Sequence, residues 1–288
     1  MTNSPSPMNT VAVGEPVRAW MHLRVTDPLV AWLTYRGLLQ SIDNVAPASM
    51  PIWAARATRA STLPVSRSFY EREHLIEVAR HGENPDAISR LTGLFVFPTR
   101  GDADRATHEW EGFEDYFINE VEILPGSRAS TFDADWITSS GAKMDGRAAA
   151  NYATGAPRTS TPHAEYLVSG RVAVLGTELR AKARDVVAAT WPEAVSLLEI
   201  SRVGAEIGSS IGYIAAHPRI DGENVRIDHV LDMRDANNPE FLEALGAHVA
   251  SLPPGHINWS DLAVGGDMFR VPDLSTRTIS VPRAGWPW

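Results

Sequence analysis

Residues 92–97 read TGLFVF, a run that is apolar on both of the faces a strand would present. Successive side chains of a strand point to opposite sides, so this segment belongs inside a sheet that is covered on each side. The flanking sequence supplies short pieces able to cover it. Residues 71–80 place Leu75, Ile76 and Ala79 on one helical face. Residues 102–110 read as a capped helix with Ala103, Ala106 and Trp110 turned inward, and 117–124 as a half-buried strand. Upstream, 19–26 has strand character. Asp27 then caps a helix with Pro28 at its first position, Leu29, Trp32 and Leu33 on its apolar face, and Gly37 past its last turn.

Further strands are predicted at 51–57, 166–168, 171–175 and 225–233, one helix at 177–199, and another capped by Asn238 with Pro239 following. Residues 139–162 are rich in Gly, Ala, Ser and Thr without a period, the composition of a long loop. Elements of both kinds are expected. The expected division is a tail at 1–16, a main domain at 17–200 and an extension of unassigned role at 201–288.

The composition narrows the chemistry. With 288 residues, 44% of them hydrophobic, the chain can bury a core. No stretch approaches the roughly 18–20 apolar residues of a membrane span, and the start shows no basic segment leading into an apolar one. A cytoplasmic protein with no membrane partner is expected. The absence of cysteine excludes thiolate nucleophiles and cysteine-held metals. A net charge of −9 disfavours a large footprint on nucleic acid. The acids between Asp102 and Glu122, facing Arg105, read as a solvated face.

Generic motifs give little. Gly204, Gly208 and Gly212 follow neither the dinucleotide fingerprint nor the P-loop spacing. His229 shares a strand face with Val225, Ile227, Leu231 and Met233, opposite Asp228 and Asp232, which makes it a core or interface histidine. No Ser, His and Asp set stands in a nucleophile turn, no histidine pair has helical ligand spacing, and no metal is expected.

Three ordered stretches carry a resemblance. Residues 22–40 (HLRVTDPLVAWLTYRGLLQ), 71–97 (EREHLIEVARHGENPDAISRLTGLFVF) and 151–174 (NYATGAPRTSTPHAEYLVSGRVAV) resemble the ADP-ribosyltransferase superfamily. The likeness is to the branch related to DarT, a DNA-modifying toxin, and to an uncharacterised bacterial family of similar layout. It implies an α+β fold, a split, mixed β-sheet flanked by helices, with NAD⁺ as substrate in the cleft between the halves and a C-terminal α/β elaboration.

Glu165 matches the catalytic glutamate. Arg24 stands where the superfamily places a histidine or arginine on its first strand; Arg36 is the alternative, at a helix end. Thr26 and Gly37 fall with Arg24 in the cofactor-binding opening, and Ser89 and Arg90 match the serine-headed strand that holds the nicotinamide ribose region. The other reading of this pair is a cap and an ion pair with the preceding helix. Tyr152 stacks on nicotinamide or belongs to the core. Arg158 and His163, in the loop that selects the acceptor in this superfamily, are the acceptor-binding candidates.

These types suit the chemistry. Breaking the nicotinamide–ribose bond leaves an oxocarbenium-like sugar that a carboxylate stabilises, and the planar fork of an arginine fits paired phosphate or ribose oxygens. The acceptor, whether protein, nucleic acid or small molecule, is left open. Alternatives are an NAD⁺ glycohydrolase, a biosynthetic transferase acting on a small molecule, or a binding protein that docks a partner through the C-terminal segment containing Trp286 and Trp288.

Overall fold

The computed structural model describes residues 10–45, 49–55, 66–140, 144–257 and 270–282. Two bent strand pairs organise them. β5 (Ile118–Ile123) turns at Gly126 into β6 (Arg128–Asp133), and β7 (Ala164–Ser169) turns at Gly170 into β8 (Arg171–Val174). β6 pairs with β7 and β5 with β8, so each bend carries the chain from one sheet into the next. Gly170 has φ 135°, and a Cβ there would lie 2.7 Å from the Cα of Ser127, so the two corners approach too closely for a side chain.

Around these pairs, β1 (Val11–Ala12), β2 (Val17–His22), β3 (Leu38–Gln40) and β4 (Leu94–Val96) complete two four-stranded sheets, β1-β6-β7-β4 and β2-β5-β8-β3. The sheets meet where Trp20 and Phe97 exchange backbone hydrogen bonds of 2.8 and 2.7 Å. All pairings among the described strands are antiparallel, so the sheets are not mixed, contrary to expectation. A third antiparallel sheet, β11-β10-β9, is built from β9 (Ile214–Asp221), β10 (Asn224–Leu231) and β11 (Ile279–Pro282).

Helices cover the sheets. α1 (Pro28–Arg36) begins with the Asp27 carboxylate accepting from Leu29 N at 2.9 Å and ends at Gly37, φ 84°. Gly37 therefore serves the helix end, where its backbone N–H reaches Leu33 and Thr34 carbonyls and the Arg180 guanidinium packs on its Cα. Gly37→Ala is expected to cost about 1–2 kcal/mol in urea unfolding, because an L side chain is strained at positive φ.

α2 (Ile42–Val45) follows β3, and α3 (Ser66–Glu83) precedes β4. Next come α4 (Arg100–Glu109), α5 (Asp135–Ser140) and α6 (Gly146–Ala153). α7 (Thr177–Thr190), α8 (Val195–Glu206) and α9 (Pro239–Ser251) follow. Among the described residues no helix is long and apolar enough to cross a membrane.

Several elements differ from expectation for identifiable reasons. Residues 139–162 are not one loop: α6 lies inside, capped by Asp145 and burying Ala148, Ala149, Tyr152 and Ala153, and its eight residues are fewer than the window over which a helical period stands out in a sequence. The single helix expected at 177–199 is two, broken at Trp191 and Pro192, because proline has no N–H to continue the ladder. Residues 52–55 are helical where a strand was expected, and β6 was not foreseen.

The expected domain boundary at residue 200 falls inside α8, which is buried from Val195 to Ala205. Tyr213, Ile214 and Ala215 share one core with Trp32, Leu179 and Val172, and Trp32 Nε1 donates to the Gly212 carbonyl at 2.7 Å. Part of the expected tail is also structured: β1 pairs with β6, and Val13 is buried. Residues 1–9, Trp286 and Trp288 lie outside the described residues. His229 is buried on the inward face of β10, as its alternation predicted.

Candidate functional site

A cavity of about 750 Å³ opens where the two four-stranded sheets meet. Its walls are mainly apolar, with Trp53, Phe95, Phe97, Trp110 and Phe113 among them, and its polar groups include Arg24, Arg72, Arg90 and Glu165. A concave, largely apolar pocket with a few convergent polar groups is the usual form of a small-molecule site. β2, β4 and β7 supply the framework. Arg24 follows the end of β2, and Glu165 sits on β7 opposite Phe132 of β6.

Glu165 is buried and held from one side. Its Oε1 accepts from Arg90 Nη1 at 2.9 Å and from the Tyr152 hydroxyl at 2.5 Å. Its Oε2 takes no hydrogen bond from the described residues. One oxygen thus fixes the carboxylate while the other is left for a ligand.

Arg90 is the hub of this arrangement. Besides Glu165, it donates to Glu73 Oε2 at 2.9 Å and to the Tyr152 hydroxyl at 2.8 Å, and its guanidinium lies 4.6 Å over Phe95 and 5.3 Å from the Tyr152 ring centre. Burial works against its charge, but Glu73, Tyr152 and Glu165 outweigh it and hold the guanidinium well above its usual range. For Glu73, burial pushes the carboxyl up, and Arg90 and Arg72 together bring it below its ordinary value. Burial, assisted by Glu165 and opposed by Arg90, raises the Tyr152 hydroxyl well above its usual range, so it is a neutral donor at physiological pH.

The predicted residues separate into two sets. Arg24, Arg90 and Glu165 come together on the cavity wall. Arg36 does not: it is buried with its donors on the carbonyls of Leu38, Ser209 and Ile211, and burial pushes it down to about 10. Thr26 is exposed and, like Gly37, does not line the cavity. Ser89 is turned away too, donating to Glu77 Oε2 at 2.8 Å and accepting from Leu91 N. The ion pair considered for Arg90 forms, and Arg90 reaches Glu165 as well, whereas Ser89 opens the turn before β4 and does not cap the strand.

Tyr152 is 1% exposed and stacked on Phe132, with ring centres 4.8 Å apart. It positions Glu165 from behind and presents no face for a ligand ring. His163 is fully buried, its ring stacked on Trp110 and Phe97, so it is not a solvated acceptor-recognising residue. Arg158 remains exposed, with its backbone N on Asp133 Oδ2 at 2.7 Å and its guanidinium over Trp136.

Sequence reasoning missed Glu73, Arg72 and His22. His22 lines the cavity beside Arg24 and stacks on Phe113 at 4.2 Å. A signal for Glu73 existed: Glu73 and Glu77 stand four apart on α3, one helical face, and that face meets Arg90 and Ser89.

Residues 52–183 match the model of a family described as a protein of unknown function (DUF2441). No curated protein matches the chain. The matched segment contains Glu73, Arg90, Tyr152 and Glu165, and leaves β2 and Arg24 outside it.

Proposed function

We propose that the cavity binds NAD⁺ and that Glu165 promotes cleavage of its nicotinamide–ribose bond, with ADP-ribose passing to an acceptor. The observation that carries this reading is the carboxylate of Glu165, anchored through Oε1 and open through Oε2, on the wall of a cavity that Arg24 also lines. A carboxylate held in place before the reaction needs no reorganisation as positive charge grows on the ribose, which is where electrostatic stabilisation is most effective. Arg24 and Arg72 supply the positive charge that a pyrophosphate requires. Trp53 and Phe95, rather than Tyr152, offer the aromatic surface for the nicotinamide or adenine ring.

Water as the acceptor would make the same site a glycohydrolase, and the net charge of −9 favours a protein or small-molecule acceptor over DNA. Nicotinamide release from NAD⁺, followed with and without cell extract, tests the reading. Release confirms cleavage, and labelled ADP-ribose appearing free or on an acceptor separates the two products. No release under either condition overturns it.

Arg24→Gln is expected to weaken NAD⁺ binding by roughly 10- to 100-fold in calorimetry, the effect of losing a charge-assisted pair. Its melting temperature is expected to stay near that of wild type. The side chain is 41% exposed and its contact with Glu114 is 3.8 Å, a surface pair of small value.

A further inference from the structure

Beside the cavity, three side chains from distant parts of the chain converge. Glu109 ends α4, Asp135 begins α5, and His163 precedes β7. One ligand atom from each falls within 4.8 Å of the others. His163 is 0% exposed and Asp135 6%, yet Nδ1 of the first and Oδ2 of the second have no hydrogen-bond partner. Leaving such atoms buried and unpaired is costly unless something fills the space between them.

The tautomer of His163 can be read from its surroundings. Nε2 lies 2.8 Å from the Asp102 carbonyl oxygen, which can only accept, so Nε2 carries the proton. That tautomer leaves the lone pair on Nδ1, with Glu109 Oε2 3.5 Å away. A buried nitrogen lone pair with two carboxylates gathered within 4.8 Å of it and of each other calls for a cation.

We propose that Glu109, Asp135 and His163 form a site for a divalent transition-metal ion of the zinc class. The 3.5 Å between Nδ1 and Oε2 compares with about 3.4 Å between neighbouring ligands of a tetrahedral ion with bonds of about 2.1 Å. One imidazole with two carboxylates is a donor set zinc accepts, and an imidazole whose second nitrogen donates to a backbone carbonyl is the usual orientation of a metal ligand.

The site is also held in place by its neighbours. Asp133 Oδ1 accepts from the backbone N of both Asp135 and His163, each at 3.0 Å, fixing the two ligands relative to one another. Arg105 donates to the other oxygens, Asp135 Oδ1 at 2.6 Å and Glu109 Oε1 at 2.7 Å, which leaves Oδ2 and Oε2 for the metal. Trp110 and Phe97 clamp the ring with centres 5.2 and 6.0 Å away. Two carboxylates against one arginine leave a negative site before the metal enters. Glu109 also lines the cavity, so three protein ligands leave a coordination position at the cavity wall for water or a ligand oxygen.

The test reads metal binding itself and is independent of NAD⁺. The full chain is stripped with chelator and titrated with Zn²⁺ by calorimetry, with Co²⁺ absorption as a second readout. One ion per chain is expected, with a Kd below about 10 μM and a visible band of tetrahedral or five-coordinate cobalt. Glu109→Gln, which changes a partly exposed residue and keeps its shape, is expected to weaken binding at least roughly 30-fold, and Asp135→Asn likewise.

Glu206→Gln is the control, because Glu206 stands between His248 and His256 at 2.9 and 3.2 Å on another surface; it is expected to leave this affinity unchanged. Absence of binding by wild type at about 100 μM Zn²⁺, equal affinity in Glu109→Gln, or loss of binding in Glu206→Gln overturns the proposal.

Discussion

Glu165→Gln is expected to lower nicotinamide release from NAD⁺ by about 100- to 1,000-fold, the loss seen when a preorganised group facing transition-state charge is removed. The substitution keeps the size of the side chain. Its amide oxygen can still accept from Arg90 Nη1 and the Tyr152 hydroxyl, now 2.9 and 2.5 Å from Oε1, while the NH₂ takes the place of Oε2. What disappears is the negative charge at the open oxygen.

Affinity for NAD⁺, measured directly by calorimetry, is therefore expected to change only a few-fold while turnover collapses, the pattern of an interaction made chiefly in the transition state. If release is unchanged in Glu165→Gln but present in wild type, the cleaving group is elsewhere. If wild type releases nothing, the NAD⁺ reading itself fails.

Arg90→Met is expected to be the most destabilising single change around the cavity, at about 3–5 kcal/mol, because it leaves buried carboxylates without their cation. Glu73 and Glu165 are 1% and 3% exposed; Arg72 remains as a partner for Glu73, whereas among the described residues Glu165 keeps only the Tyr152 hydroxyl. At roughly 2–4 °C per kcal/mol for a chain of this size, the melting temperature falls by about 6–20 °C.

The pH dependence has a definite sign. In wild type the Glu73 carboxyl lies below its ordinary value, with burial outweighed by Arg90 and Arg72. Its contribution is present above the ordinary carboxylate range and is lost as pH falls through the lower folded value. In the variant, Arg90 no longer opposes burial, and the Glu73 carboxyl protonates more readily on folding than in wild type. The gap between the two proteins is therefore expected to be widest at neutral pH and to narrow toward pH ~4–5. Thermal melts of both across that range check it; a gap constant with pH would show that the loss is one of packing.

Part of the cavity's polar wall was legible in the sequence, through ordered resemblance rather than geometry. Arg24, Arg90 and Glu165 were named and do line it. Tyr152, Ser89 and His163 were named too, but their roles changed once burial and partners were visible: Tyr152 buttresses Glu165, Ser89 bonds Glu77, and His163 is walled in by Trp110 and Phe97. A side chain's type says what bonds it can make, while its neighbours decide which ones it does make.

By itself the sequence determined what depends on near neighbours along the chain. Asp27, Pro28 and Gly37 set both ends of α1, because caps and positive φ act within a few residues. Alternation in β10 turned His229 inward, and the lack of cysteine closed off thiolate chemistry.

The tertiary structure alone decided what depends on strand register and burial. Pairing β7 with β6 puts Glu165 opposite Phe132, and packing α3 and α6 around that sheet brings Glu73 and Tyr152 to Arg90. The tertiary fold also brings Glu109, an exposed residue of the acidic stretch, beside the buried Asp135 and His163. No local period encodes these meetings. They follow from where two antiparallel sheets fold against each other, and buried charges are retained there because each finds a partner across that fold.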